Sequence, residues 1–188
     1  DLMYWWGRSA GVKINVVPPI ILNGMRVSST VIRELISAGE INNAFQLMTY
    51  PFVISGTVIE GRKIGRTINF PTLNLNPPRK IMPPDGVYIT QTVFKGMQKR
   101  SLTNIGSSPT IDSEIRSRKI ETWMENCDAG DLYGENISVY FFEKIRDEIR
   151  FSSKEKLSEM ISVDRSKLSE FSKLNEFKLL PDVFPLFS

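Results

Sequence analysis

The stretch Gly86-Val-Tyr-Ile-Thr-Gln-Thr-Val-Phe94 decides the fold, because β-branched and aromatic residues dominate it and its apolar period is two rather than 3.6. Four further segments have the same character, at Phe52–Ile59, 99–105, 119–124 and 136–142. Turn signals separate the segments, at Pro84-Asp85-Gly86, Lys95-Gly96 and Asp128-Ala-Gly-Asp131. Five or six short strands without long helices between them predict an antiparallel barrel.

The region before this barrel has a helical period. Ser28 and Ser29 are good N-terminal caps and Gly39 is a typical stop, so residues 27–48 predict two short helices, the second over 41–48. Residues 13–17 predict a strand that ends at Pro18-Pro19. One strand and two helices cannot close a core alone, so we expect this region to be part of a larger unit.

A helical period returns after the barrel. Ser152 and Glu155 match a capping box, which predicts a helix that begins near residue 152 and extends to about 178. Its apolar residues keep to one face, and they are Leu157, Met160, Ile161, Leu168 and Phe171. The sequence therefore predicts a helix that packs one side against the barrel.

Composition narrows the classes of function. At 188 residues the chain suits one domain, or one domain and a fragment, and its net charge of +3 favours phosphate-bearing partners without indicating nucleic acid. The absence of histidine excludes histidine-based triads and imidazole metal sites, and Cys127 is expected to be an inert small side chain. No apolar run approaches the ~20 residues that span a bilayer, and no signal peptide is recognisable, so the cytoplasm is the expected location.

The stretch from Gly56 to Asn74 carries the candidate chemistry. It reads Gly-Thr-Val-Ile-Glu-Gly-Arg-Lys-Ile-Gly-Arg-Thr-Ile-Asn-Phe-Pro-Thr-Leu-Asn, with three glycines and a cluster of cationic residues. Glycines allow the backbone to approach a ligand closely, and cationic side chains there suit phosphate. An ordinary basic β-turn with bulge glycines explains the same pattern equally well, since this is not a P-loop.

The same stretch resembles the riboflavin kinase family. Gly61-x3-Gly65-Arg66 followed by Phe70-Pro71-Thr72-x-Asn74 is similar to that family's phosphate loop and Pro-Thr-Ala-Asn motif. Further matches follow in family order over roughly residues 50–164: Gly86-Val87-Tyr88, Asn104-Ile105-Gly106, Pro109-Thr110, Ile120-Glu121-Thr122, Asp131-Leu132-Tyr133-Gly134 and Ile145-Arg146-Asp147-Glu148 with Phe151. The resemblance implies a mainly β fold, a six-stranded antiparallel Greek-key barrel with a C-terminal helix.

The resemblance also implies an activity, the transfer of a phosphoryl group from ATP to the 5′-hydroxyl of riboflavin to give FMN. It implies Mg²⁺ ligands at Thr72 and Asn74, and a general base at Glu121. The implied phosphate-binding residues are Gly61, Lys63, Gly65, Arg66, Pro71 and Thr72, and the implied flavin-binding residues are Arg146, Phe151 and Leu157. From the residues alone, the plainer interpretation is favoured, in which Thr72 caps its own turn, Asn74 is an ordinary turn former and Glu121 is a surface carboxylate paired with a lysine.

The stretch Val27-Ser28-Ser29-Thr30-Val31-Ile32-Arg33 resembles a second motif, from the end of the FMN adenylyltransferase domain of bacterial bifunctional FAD synthetases. Hydroxyls and an arginine at a helix N-terminus suit phosphate, which singles out Ser29, Thr30 and Arg33, although a plain capped helix has the same pattern. The expected domains are therefore 1–48, a C-terminal fragment of an adenylyltransferase, and 49–188, a riboflavin kinase with its barrel at about 50–150.

That adenylyltransferase domain uses a His-x-Gly-His motif, which a chain without histidine cannot contain. We therefore expect no conversion of FMN to FAD by this chain, and both steps in a longer parent protein. Two positions depart from the kinase pattern, Asn69 in place of glycine and Leu73 in place of alanine. They leave open a non-catalytic barrel that binds flavin or nucleotide. A barrel that binds single-stranded nucleic acid is the least favoured alternative, and no nucleic-acid or membrane partner is expected.

Overall fold

The computed structural model describes residues 2–61, 70–76, 81–108, 117–127, 132–149, 151–175 and 180. Its helices are α1 (Leu2–Ser9), α2 (Ser29–Ala38), α3 (Ile41–Met48) and α4 (Lys154–Leu174). Its strands are β1 (Ile21–Leu22), β2 (Met25–Arg26), β3 (Phe52–Ile59), β4 (Thr72–Leu75), β5 (Gly86–Phe94), β6 (Met97–Ser108), β7 (Ser117–Met124) and β8 (Asn136–Arg146). Within those ranges, none of the helices combines the length and the apolarity that a membrane span requires.

Six strands form a closed barrel in the order β3-β4-β7-β6-β5-β8, and every neighbouring pair is antiparallel. Strands β5, β6 and β7 follow one another, and β8 returns to lie beside β5, which is the Greek-key arrangement. The predicted barrel and its strands are therefore confirmed. The sixth strand, β4, is only four residues long, too short for its period of two to be recognised.

The two faces of the barrel wall differ in composition. Successive side chains of a strand point to opposite faces. On β7, Ile120, Thr122 and Met124 are fully buried inside the barrel, while Glu121 and Trp123 lie on its outer face. The inner residues of the other strands form one apolar cluster with Ile120 and Met124.

Hydroxyl groups form a chain inside one side of the barrel. Thr90 Oγ1 lies 2.8 Å from both Ser101 Oγ and Thr103 Oγ1. The chain continues to Thr92, which donates to Ser101 Oγ at 2.9 Å, and to Thr122, whose Oγ1 lies 3.0 Å from that of Thr103. All five residues are buried, so these polar groups satisfy one another in place of water.

The start of β5 is anchored by polar contacts. Burial raises the pKa of Tyr88 well above its usual range, so the phenol stays protonated, and it donates to the Pro84 carbonyl at 2.7 Å. Arg118 donates to Asp85 Oδ1 from Nε at 3.0 Å and from Nη2 at 2.8 Å. Asp85 also accepts from Ser107 at 2.7 Å. These contacts hold the segment before β5 against β6 and β7.

The pairing of β8 with β5 contains two register shifts, each of which inserts one extra residue on β8. The extra residues are Phe142 and Ile145. Bulges turn the side chains that follow them, and here the second one leaves Arg146 opposite Val87. The predicted strand ended at residue 142 because the first bulge interrupts its alternation there, whereas β8 continues to Arg146.

The helices before the barrel form as predicted. Ser28 caps α2 by accepting from the Val31 amide at 3.3 Å, and Gly39 ends it in the left-handed region with φ of 83°. One apolar cluster joins these helices to the inner residues of the barrel, and it includes Ile36 of α2 and both Ile41 and Ala44 of α3. Helix α3 packs on β3 and β8 of the barrel, and α2 packs on α3.

The predicted strand at 13–17 is wrong. These residues pair with no strand in the described part of the chain, and all but the partly buried Ile14 are exposed. A short hairpin of β1 and β2 forms instead, where Asn23 and Gly24 take φ values of 52° and 77°. An Asn-Gly pair favours such a turn, because both central residues need positive φ.

The N-terminal cap of α4 lies one residue later in the chain than predicted. Ser153, not Ser152, accepts from the backbone amide of Lys156, at 3.3 Å. The apolar face packs on the outside of the barrel as predicted, where Leu168 is fully buried against Ile89 and Leu102. The helix thereby covers part of the outer face that carries Glu121.

Candidate active site

One row of paired residues crosses five strands on the outer face of the barrel. Strand pairing places Asn74 of β4 opposite Glu121 of β7, and Glu121 opposite Asn104 of β6. The row continues from Asn104 to Val87 of β5 and from Val87 to Arg146 of β8. Neighbouring strands lie about 4.8 Å apart, so Glu121 and Arg146 are separated by about 14 Å along the wall. The closed topology thus aligns residues that are far apart in sequence.

A cavity of about 250 Å³ lies over this row, between the barrel wall and α4. Five of the predicted site residues line this cavity: Thr72, Glu121, Arg146, Phe151 and Leu157. Asn104 also lines it, between Glu121 and Arg146. One of the two residues implied for the metal, Thr72, therefore shares a cavity with the residues implied for proton transfer and for the flavin, whereas the other, Asn74, does not line it.

The polar end of the cavity is built on β4. Thr72 and Asn74 are two residues apart on this strand, so both side chains are on its outer face, while Leu73 and Leu75 are buried inside. Gly61 packs against the Asn74 amide so closely that a Cβ at position 61 would collide with it. Pro71 is partly buried beside this strand and does not line the cavity, while Lys63, Gly65, Arg66 and Asn69 lie outside the described residues.

The other end of the cavity contains a buried ion pair. Arg146 donates from Nε to both oxygens of Asp164, at 3.1 and 3.0 Å, and from Nη2 to Oδ2 at 2.8 Å. Its Nη1 donates to the Asp147 carbonyl at 3.0 Å, and its guanidinium carbon lies 5.9 Å from the centre of the Phe151 ring. Asp164 therefore neutralises the charge of Arg146 and fixes the orientation of the guanidinium plane. The ion pair as a whole adds no net charge to this end of the cavity.

A stack of three side chains joins the wall of the cavity to α4. Phe70 lies parallel to Trp123, with ring centres 4.7 Å apart and planes 13° apart. Arg165 of α4 covers the same indole, with its guanidinium carbon 5.3 Å from the ring centre. Trp123 is two residues from Glu121 on the same face of β7, so the stack supports the strand that carries this carboxylate.

Glu121 is partly buried and lies between two asparagines of the neighbouring strands, Asn74 and Asn104. A second carboxylate, Glu148, lines the cavity and lies directly over Gly106, where any Cβ would collide with it. Carboxylate, amide and hydroxyl groups thus line the same cavity as aromatic and aliphatic side chains. Such a site suits an amphipathic ligand with an alcohol group.

Comparison with known proteins decides the family. The family model for flavokinase, described as riboflavin kinase, matches residues 48–172. The matched residues contain all six strands of the barrel and most of α4. This chain belongs to the riboflavin kinase family.

Relatives of this family member are longer proteins. A bifunctional riboflavin kinase/FMN adenylyltransferase from Pseudomonas fluorescens is 33% identical over 164 residues, which cover 87% of this chain and 52% of that protein. The enzyme of the same name from Escherichia coli K12 is 36% identical over 166 residues, 88% of this chain and 52% of that protein. The chain thus spans about half the length of the curated relatives it matches, and these matches are too long to lie wholly after residue 48.

A solved structure is similar as well. A crystal structure described as that of a macrolide-efflux protein from Streptococcus pneumoniae matches with a TM-score of 0.78 and 31% sequence identity. The match covers 85% of this chain and 52% of that one. Most of this chain's fold therefore recurs in that protein.

Neither Asp164 nor Trp123 was singled out from the sequence alone. The signal for Asp164 is an acidic residue on the apolar face of α4, between Ile161 and Leu168. A buried carboxylate in that position requires a cationic partner, which here is Arg146. Ser29, Thr30 and Arg33, in contrast, are exposed on α2 and do not line the cavity.

Proposed function

We propose that this chain transfers the γ-phosphoryl group of ATP to the 5′-hydroxyl of riboflavin, to give FMN and ADP. The row from Asn74 to Arg146 carries the proposal, because it has proton-transfer and metal-ligand chemistry at one end and a flat apolar environment at the other. The length of the row between Glu121 and Arg146 suits a five-carbon chain followed by a fused ring system. Membership of the riboflavin kinase family supports the same substrates.

Glu121 has the role of general base in this proposal. The alcohol oxygen attacks the γ-phosphorus, a new O–P bond forms, the bond to the β-phosphate oxygen breaks, and ADP leaves. The alcohol proton passes to the Glu121 carboxylate, which lines the cavity and is partly buried. Asn74 and Asn104 lie opposite this residue on the two neighbouring strands.

Mg²⁺ is the metal that the donor set fits. Thr72 and Asn74 offer a hydroxyl and an amide oxygen on one face of β4, and Mg²⁺ prefers such hard oxygen ligands. In the described residues no group of three or more histidine, cysteine, aspartate or glutamate side chains is arranged to hold a metal. Thr72 and Asn74 would therefore hold the ion together with phosphate and water, and when bound it neutralises charge on the phosphates.

The flavin ring is assigned to the end of the cavity near Arg146. Asp164 compensates the arginine, so the guanidinium offers a flat face to a neutral ring rather than an unpaired charge. Phe151 and Leu157 add apolar surface on the same side. A flat and largely uncharged ring system fits this environment better than a second phosphate group does.

A longer parent protein would also adenylylate FMN to FAD, as the names of the bifunctional relatives suggest. Residues 1–48 would then belong to the adenylyltransferase, with Ser29, Thr30 and Arg33 near its nucleotide. The packing of α3 on the barrel would then join the adenylyltransferase region directly to the kinase barrel. By itself, the present chain is expected to produce FMN and no FAD.

The test is incubation of the chain with riboflavin, ATP and Mg²⁺, followed by separation of the flavins by chromatography. Mg²⁺-dependent formation of FMN, equal in amount to the ADP released, is the expected result. No FMN, with riboflavin still bound at equilibrium, would contradict the proposal and identify a binding barrel. Omission of Mg²⁺ is the matched control, since binding of riboflavin alone does not need the metal in this scheme.

A further inference from the structure

Asn104 occupies the middle of the row that crosses the cavity. It lies opposite Glu121 on one side and opposite Val87 on the other, and Val87 in turn lies opposite Arg146. Each step between strands is about 4.8 Å, so Asn104 is one step from the base and two from the arginine. Its side chain lines the cavity and is partly buried. Any ligand that reaches from Glu121 to Arg146 must pass over this residue.

The side chain of Asn104 has hydrogen-bonding capacity to offer. Among the residues that the structure describes, its amide has no hydrogen-bond partner, although the neighbouring polar groups Arg146, Asp164 and Glu121 all have interactions. An asparagine amide carries two N–H donors and a carbonyl acceptor. A ligand that covered it with a plain hydrocarbon chain would leave these groups unsatisfied, at a cost in binding free energy.

We infer that Asn104 binds the inner hydroxyl groups of the sugar-alcohol chain and thereby makes the site specific for a polyol rather than for an alkyl chain. This inference rests on the proposed function, because it assumes that the reacting alcohol is at Glu121 and the ring is at Arg146. Alcohol groups both donate and accept, as the amide does, so a pair of hydrogen bonds to adjacent hydroxyls satisfies both partners. Val87, the next residue in the row, has no polar group and is suited to the start of the ring.

An alternative role for Asn104 is to position Glu121, its neighbour across β6 and β7. The two roles differ in which substrates a substitution of Asn104 would affect. A positioning residue affects the rate for every alcohol substrate equally, whereas a residue that binds inner hydroxyls matters only for substrates that have them. The comparison of two substrates therefore separates the roles.

The experiment compares riboflavin with a flavin whose side chain is an unbranched five-carbon chain with one terminal hydroxyl. The analogue keeps the reacting group and the ring and lacks the inner hydroxyls. Asn104→Ala and the bulkier Asn104→Leu are compared with Asn136→Ala, which removes an exposed amide on β8 that is bound to Thr57, outside the cavity. The readouts are kcat/KM for each flavin and the equilibrium Kd, measured by flavin fluorescence without ATP.

The parent chain is expected to favour riboflavin over the analogue, and Asn104→Ala is expected to reduce this preference about tenfold, the effect of one or two hydrogen bonds. Asn104→Leu should do the same, and Asn136→Ala should keep the original preference. An equal loss for both flavins, or an unchanged preference, would overturn the inference. If the parent forms no FMN, the proposed function fails, and the ratio of the two Kd values still decides the role of Asn104.

Discussion

The inner and outer faces of the barrel wall differ in what they contribute. On β7, the inner residues Ile120 and Thr122 belong to the core and the buried hydroxyl chain, while the outer residue Glu121 lines the cavity. Adjacent residues of one strand thus face the core on the inside and the candidate site on the outside. Because side chains alternate between the two faces wherever a strand is regular, closing the barrel builds the core and the candidate site in the same step.

The largest expected contrast is between Glu121→Gln and Ile120→Ala. Loss of the base should lower kcat for FMN formation by about 10²- to 10⁴-fold and leave the free energy of unfolding almost unchanged. Removal of the buried isoleucine side chain should lower the free energy of unfolding by about 3 kcal/mol and affect kcat little at a temperature where the variant is folded. Steady-state kinetics and denaturant unfolding measure the two effects.

Rapid FMN formation by Glu121→Gln would assign the base to another residue. A Glu121→Gln chain that unfolds as readily as Ile120→Ala would mean that this carboxylate supports the fold, and the two faces would then not be separate in function.

A smaller effect is expected where the faces are linked, at Asp164. Asp164→Asn leaves Arg146 without its carboxylate, so the free energy of unfolding should fall by about 3 kcal/mol and KM for riboflavin should rise about tenfold. KM for ATP should change less, because the proposed function places the arginine beside the flavin rather than the nucleotide. Asp85→Asn is the matched control, as it breaks the Arg118 ion pair away from the cavity. Equal increases in KM for both substrates would contradict the assignment of Arg146 to the flavin.

The smallest effect is expected inside the barrel, at Thr90. Thr90→Val keeps the shape and removes the hydroxyl that contacts Ser101 and Thr103, so the free energy of unfolding should fall by about 1–2 kcal/mol. Kinetic constants should not change, since Thr90 faces away from the cavity. Thr90→Ser is the control that keeps the hydroxyl. A Thr90→Val variant as stable as the parent would show that the hydroxyl chain contributes nothing to stability.

The sequence predicted the barrel because its strands alternate or are continuously apolar, and α4 because its apolar face is regular. It did not reveal β4, whose four residues follow Pro71, or the last residues of β8, where two bulges break the alternation. It placed the cap of α4 at Ser152 rather than Ser153, because two adjacent serines satisfy the same local pattern. Local periodicity therefore predicts which elements form more reliably than it predicts where those elements end.

The candidate site shows a different limit. Motif resemblance singled out Thr72, Glu121 and Arg146, but only strand pairing shows that Asn104 lies between the last two. Asp164 required the tertiary structure, since its partner Arg146 is on a strand that precedes the helix by several residues. Contacts between distant segments depend on register and closure of the barrel, which no single stretch of sequence contains.

The stack of Phe70, Trp123 and Arg165 also has an optical consequence. The three tryptophans of the chain divide into two classes, because Trp5 and Trp6 are 72% and 60% exposed while Trp123 is only 7% exposed. A quencher dissolved in water therefore extinguishes the emission of the first two and spares the third. The light that remains comes from Trp123, which stacks on Phe70 of the cavity lining, and a flavin bound in the cavity as proposed would therefore accept its excitation.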